Sequence, residues 1–128
     1  MSRILIDTNI YSNALRGEPL VTDILRKTAE IGFSSISIGE LLSGFKGGNR
    51  EAKNKDELEQ FLDSPRVTIY SVDEETAEFY ANVLDNLKKA GTPIPTNDIW
   101  IAAVAFQHGL KLFTKDRHFQ KVAGLVLV

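Results

Sequence analysis

The chain has 128 residues, a length that suits one compact domain with a single hydrophobic core better than two. Hydrophobic residues make up 43% and charged residues 25%, which excludes a disordered, collagen-like or low-complexity chain; 15 basic against 17 acidic residues leave a net charge of −2, without the general basic field of many nucleic-acid binders. The absence of cysteine excludes disulfide scaffolds, thiolate metal sites and cysteine nucleophiles, and His108 and His118 alone do not make a His-rich zinc site.

Ile4-Leu5-Ile6 is a short apolar run closed by Asp7-Thr8-Asn9, which reads as a buried strand followed by a helix N-terminus. The run is too short for a signal-peptide core, and no apolar stretch approaches the roughly 20 residues of a membrane span, so a cytoplasmic protein without membrane contact is expected. Pro19 opens an amphipathic helix carried by Leu20, Ile24, Leu25, Thr28 and Ile31, with Gly32 placed to end it. Phe33 to Ser37 reads as a second strand and Ile38 to Phe45 as a short helix. A polar loop, Lys46 to Arg50, then leads into a charged helical stretch reaching Leu62. After Pro65, Val67 to Tyr70 is rich in β-formers, and Ala77, Tyr80, Ala81, Leu84 and Leu87 mark a helix that stops near Gly91. Pro93 and Pro95 hold an extended loop, and the helix from Asp98 to His108 is apolar nearly all round, so it is expected to lie buried against the sheet before Gly109 ends it. Lys111 to Thr114 and Leu125 to Val128 supply two further strands. This alternation predicts an α/β fold over residues 1–128, with a mostly parallel sheet covered by helices on both faces and no repeat or linker.

In an open α/β sheet, ligands sit outside the carboxyl ends of the strands, and acids dominate that edge here. Asp7 follows the first strand, Glu40 lies early in the helix after the second, and Asp116 comes two residues past Thr114. The link through Gly109 is so short that the Asp98 helix must end where the next strand begins, which returns Asp98 to the same edge. Converging anions repel unless they hold protons or a cation. Hard oxygen donors select Mg²⁺ or Mn²⁺, and a pair of such ions about 3.5–4 Å apart can drive in-line phosphodiester hydrolysis by activated water.

Each acid also has a purely structural reading. Asp7 and Asp98 open helices and could be caps or partners of the helix dipole. Ser37-Ile38-Gly39-Glu40 fits a capping box, and Asp116 could be a turn residue. Asp73-Glu74-Glu75 carry as much charge after the third strand, so position alone does not single out Asp7, Glu40, Asp98 and Asp116.

Taken together and in order, Leu5-Ile6-Asp7-Thr8-Asn9, Glu40, Asn97-Asp98-Ile99-Trp100-Ile101-Ala102-Ala103 and Thr114-Lys115-Asp116-Arg117-His118-Phe119 resemble the PIN-domain ribonucleases, and more narrowly the VapC-type toxins of toxin–antitoxin systems. The resemblance implies a PIN-like three-layer α/β/α sandwich with a five-stranded sheet in the order 3-2-1-4-5, which places Asp73 to Glu75 away from the centre at an outer edge. It implies a Mg²⁺-dependent endoribonuclease, with Mn²⁺ as an alternative ion. Asp7 and Asp98 would be the main metal ligands, Glu40 and Asp116 would complete the catalytic cluster, and Thr8, Asn9, Asn97 and Thr114 would orient it. It further implies RNA as substrate, a homodimer, and a cognate antitoxin that covers the site.

Lys46, Arg50, Lys53, Lys55, Lys115 and Arg117 are candidates for phosphate contacts, though a solvated surface suits them as well. Tyr11, Phe45 and Trp100 are expected in the core, and His118 at the surface or in a structural role. Three rival readings stand beside this one. A haloacid-dehalogenase-type phosphatase would need a second Asp where the chain has Asn9; the others are a non-catalytic RNA- or protein-binding module and a metal-dependent DNA nuclease.

Overall fold

The computed structural model describes residues 2–128. In chain order the elements are β1 (Arg3–Ile6), α1 (Thr8–Leu15), α2 (Pro19–Lys27), β2 (Glu30–Ser34), α3 (Ser35–Lys46), α4 (Glu51–Leu62), β3 (Val67–Tyr70), α5 (Glu74–Ala90), α6 (Thr96–His108), β4 (Lys111–Phe113) and a 3-10 helix (Arg117–Lys121). All strand pairs are parallel and their order is β3-β2-β1-β4. The central strand β1 is buried on both faces, which is why it is a continuous apolar run rather than an alternating one. Ile4 and Ile6 join one core with Ile10, Tyr11, Val21, Phe33, Leu41 and Leu58, under α1 to α4. Leu5 joins the other with Val83, Leu87, Ile101, Val104 and Phe119, under α5, α6 and the 3-10 helix. Helices therefore cover both faces, giving the expected three layers.

The sheet has four strands among the described residues, not five. The segment expected as the fifth strand touches β4 through an isolated bridge between Leu112 and Leu127. Backbone bonds Leu112 N–H to Val126 O and Val128 N–H to Leu112 O, both 2.9 Å, flank that bridge. The 3-10 helix and the turn at Gly124 (φ 82°) take up the intervening chain, so only its last residues run beside β4, too few for a ladder.

Two boundaries also differ from expectation. The helix opened by Pro19 ends at Lys27, where Thr28 turns extended (ψ 128°) and its hydroxyl donates back to Ile24 O at 2.7 Å. Gly32 is thus not a helix stop but the middle of β2. A Cβ on Gly32 would lie 2.7 Å from Cε2 of Tyr70 and 3.2 Å from the Ile4 carbonyl oxygen, so the missing side chain lets the Tyr70 ring lie across the strand. β2 then stops at Ser34, three residues earlier than expected, because the Ser34 side chain accepts the Ser37 N–H (3.1 Å) and caps α3. Ser37-x-x-Glu40 is therefore not a capping box, which removes the capping explanation for Glu40.

Gly32→Ala is expected to destabilise the fold by about 1–3 kcal/mol, the scale of overpacking a well-filled core, measured as a lower urea midpoint at unchanged m-value.

Tyr11 is buried against Phe33 and Phe61, as expected of a core aromatic. Trp100 is only half-buried and stacks on Tyr80 with ring centroids 4.0 Å apart, and Phe106 is likewise half-buried, whereas the rest of the apolar stretch of α6 from Ile99 to Ala105 is buried. Gly109, in the left-handed conformation (φ 62°), closes α6 and brings Leu110 directly into β4. No described helix is long and apolar enough to cross a membrane.

Candidate active site

A cavity of about 430 Å³ opens outside the carboxyl ends of β1 and β4, and Asp7, Glu40, Asp98, Asp116 and His118 all line it. Asp7 enters from the end of β1, whose hydrogen bonding continues one residue further, from Asp7 N–H to Phe113 O at 3.2 Å. Its carboxylate caps α1 by accepting the Ile10 N–H (3.0 Å). The cap and the site are thus the same carboxylate. The second oxygen accepts the Thr114 hydroxyl, and Thr114 Oγ1 in turn accepts the Asp116 N–H at 2.9 Å, so one hydroxyl ties the end of β1 to the turn after β4.

Glu40, on α3, is held at both oxygens: Thr8 donates to Oε1 at 2.6 Å and Asn97 to Oε2 at 3.3 Å. Thr8 Oγ1 also lies 2.9 Å from the buried Ser37 hydroxyl. Asp98 sits in the first turn of α6, where the aligned peptide N–H groups favour a negative charge. Asp116 caps the 3-10 helix by accepting the His118 N–H at 2.9 Å. Asn9 is exposed on the cavity rim, and its backbone N–H supports the Asp7 carboxylate.

His118, expected at the surface or in a structural role, lies half-exposed beside two of the acids. Its Nδ1 lies 3.0 Å from Asp98 Oδ2 and 3.1 Å from Asp116 Oδ1. The donor atoms of Asp98, Asp116 and His118 all fall within 4.8 Å of one another. Asp7 and Glu40 line the same cavity from β1 and α3. The signal for His118 was its two-residue spacing from Asp116: a 3-10 helix starting at Arg117 folds that spacing into one cluster.

The electrostatics follow from burial. Asp7 is 4% exposed, and removal from water pushes its carboxyl above the usual Asp range, opposed by the Thr114 and backbone hydrogen bonds and reinforced by the nearby Asp116 charge. Asp98 is pushed up for the same leading reason, with His118 opposing and the Asp116 and Glu40 charges adding. No Lys or Arg lines the cavity. Lys115 is engaged with Glu18, and Lys46 pairs with Glu51 at 3.0 Å; Arg50, Lys53, Lys55 and Arg117 are exposed. A set of carboxylates with one imidazole and no facing cation is the donor chemistry of a divalent-ion site.

The rival acids after β3 have a different occupation. Asp73 forms a capping box with Thr76, each bonding the other's N–H at 3.0 Å, and Gln107 donates to Asp73 Oδ1 at 3.0 Å. These bonds hold the Asp73 carboxyl below its usual range, the Thr76 N–H contributing most. β3 is also the outer strand, two places from β1. Asp73→Ala is expected to lower the melting temperature in thermal denaturation while leaving the acids of the cavity in place.

The same architecture is found in known proteins. The PIN domain family model matches residues 4–125. A ribonuclease VapC2 of Haemophilus influenzae is 31% identical over 128 residues, covering 98% of this chain and 96% of its own. The crystal structure of VapBC2 from Rickettsia felis bound to a DNA fragment from its promoter superposes with a TM-score of 0.88 at 26% identity, covering 98% and 97% of the two chains. VapBC-1 from nontypeable Haemophilus influenzae gives 0.87 at 25% identity over 98% and 96%. With the family model spanning nearly the whole chain and the acid-lined edge in place, this protein belongs to the PIN-domain family, among its VapC members.

Proposed function

We propose that the chain is a divalent-metal-dependent endoribonuclease acting as the toxin of a toxin–antitoxin pair. The observation that carries this reading is the cavity at the carboxyl edge, where Asp7, Glu40, Asp98 and Asp116 converge with no Lys or Arg among the lining residues. Such a cavity is electrostatically incomplete until it receives a cation, and Mg²⁺ or Mn²⁺ suits its oxygen donors. Asp98 and Asp116, whose donor atoms are close together, and Asp7, linked to Asp116 through Thr114, would hold the ion, with Glu40 completing the set. When bound, such an ion supplies Lewis-acid stabilisation of charge on phosphate oxygens and lowers the pKa of water.

The protein's own residues then set the geometry. Thr114 and Ile10 N–H fix both oxygens of Asp7, and Thr8 and Asn97 fix both oxygens of Glu40, so neither carboxylate needs to reorganise when a phosphate arrives. Their fixed negative charges would repel a bare phosphodiester, which makes RNA binding conditional on the cation. Asn9 and Asn97, on the rim, offer amide groups to a sugar or phosphate without adding charge.

The relatives named as ribonucleases support RNA as the substrate class, and the VapBC complexes among the similar structures support a cognate antitoxin as partner. The homodimer belongs to the proposal as what the resemblance to VapC-type toxins implies. A cationic side chain of the antitoxin would satisfy the same unpaired acids and so inhibit by replacing the metal. The test is cleavage of end-labelled structured and unstructured RNAs by antitoxin-free protein in Mg²⁺, in Mn²⁺ and in EDTA. Cleavage restricted to the metal-containing reactions is expected. Metal-independent cleavage would remove the metal reading; retained RNA binding without cleavage would favour a binding module, and cleavage of DNA alone would move the substrate.

A further inference from the structure

We infer that His118 is itself a metal ligand through Nδ1, and that the centre is consequently selective for Mn²⁺ over Mg²⁺. The inference rests on the metal-dependent reading above and goes beyond it, because an all-carboxylate centre would carry no nitrogen donor and no such bias. The juxtaposition behind it is the triangle of Asp98 Oδ2, Asp116 Oδ1 and His118 Nδ1 at the mouth of the cavity.

Two features fit this triangle to a shared ion. Nδ1 carries at most one proton, yet it lies 3.0 Å from one carboxylate oxygen and 3.1 Å from another, near-equal spacings that a three-centre hydrogen bond holds in the metal-free protein and an ion can take over. Adjacent donors around an octahedral ion with bonds of about 2.1 Å stand about 3.0 Å apart, so both spacings match edges of one coordination polyhedron. Asp116 Oδ1 also already accepts the His118 N–H at 2.9 Å, which fixes Asp116 and His118 relative to each other as a ready chelating pair within one turn.

The exposure of His118 points the same way. Its side chain is 43% exposed and no described residue bonds Nε2, so the ring is held by the two acids alone and its second nitrogen is open to water or to a substrate phosphate oxygen. His108 is packed instead against Tyr70, with ring centroids 4.5 Å apart, and does not line the cavity. Imidazole is a softer donor than carboxylate. It adds little for Mg²⁺, which favours oxygen and retains water, and more for Mn²⁺ and the later divalent ions.

The experiment is pulsed electron paramagnetic resonance of the full-length protein loaded with Mn²⁺ alone, with and without ¹⁵N-histidine labelling, alongside calorimetric titration of Mn²⁺ and Mg²⁺ into the wild type and His118→Ala. The expected result is a directly coordinated imidazole nitrogen in the wild type, changed by the label and lost in His118→Ala. The Mn²⁺-to-Mg²⁺ affinity ratio is expected to fall on the order of tenfold in the variant. Bound Mn²⁺ without nitrogen coupling, or an equal loss of both ions in the variant, would make His118 a hydrogen-bonding positioning residue and overturn the inference. Failure of the wild type to bind Mn²⁺ at all would instead overturn the metal-centre reading beneath it. The labelled wild type keeps the test valid if the variant does not fold.

Discussion

Asp98→Asn is expected to lower RNA cleavage by roughly 10²- to 10³-fold or more, the scale of losing a preorganised charge at a transition state, and Asp7→Asn to do the same. Both substitutions preserve side-chain shape and remove one negative charge. Asn at position 7 can still accept the Ile10 N–H, so α1 keeps its cap and the loss is not a folding defect. Asp98 caps nothing: its only described side-chain hydrogen-bond partner is His118, so position 98 tests the cavity chemistry with least structural interference. Initial rates on end-labelled RNA at saturating metal, with circular dichroism spectra recorded in parallel, make the comparison. Asp73→Ala provides the control, since it removes a carboxylate of equal charge that follows the outer strand β3. Wild-type turnover by Asp98→Asn would remove these acids from the reaction.

How far the sequence carried depends on the range of the interactions involved. Strands β1 and β3 were legible because short β-forming runs bounded by Asp or Pro have little other way to fold, α5 because its periodicity and glycine cap agree, and α6 because an apolar stretch of helical length ends at Gly109. Asp7 was legible by position, but that one carboxylate both caps α1 and lines the cavity was not, because a capping acid and a cavity acid look identical in sequence. Asp73 could be separated from the others only by sheet order, a long-range property, and by its bonds to Thr76 and Gln107. Gly32 misled because glycine signals a helix stop locally, whereas its actual constraint is the ring of Tyr70, distant in sequence. The fifth strand failed for the opposite reason: Leu125 to Val128 have the composition of a strand but too little chain alongside β4 to pair. His118 was left outside the site because Asp98, one of the two groups that hold it, meets it only when α6 and the 3-10 helix come together, although its closeness to Asp116 was local and legible.

The acids that make the site should also make the metal-free protein less stable than it could be, and this has a pH signature. Asp7 and Asp98 both have carboxyls pushed above the range they have in the unfolded chain, chiefly by burial. Ionising them therefore costs the folded state more than the unfolded one, and stability is lost as pH rises through their folded pKa values. Asp23, Glu30 and Asp73 are held below their usual range, Asp73 by its cap, and they contribute with the opposite sign: stability present at neutral pH and lost on acidification. The Tm of the wild type alone mixes the two groups, but the difference between Asp98→Asn and wild type isolates one carboxylate. In EDTA at pH 7, Asp98→Asn is expected to melt above the wild type, and the gap should close as the pH is lowered through the raised range in which the wild-type carboxyl takes up its proton. Adding Mn²⁺ should reverse the order. A ligand at a hundredfold its Kd stabilises the native state by about 2.7 kcal/mol, a rise on the order of 8–10 °C for a chain of this length. That rise should appear in the wild type and be largely lost in Asp98→Asn. A variant that melts below the wild type in EDTA at pH 7 would show that Asp98 is stabilising as an ion, and that its bond to His118 outweighs the cost of its burial.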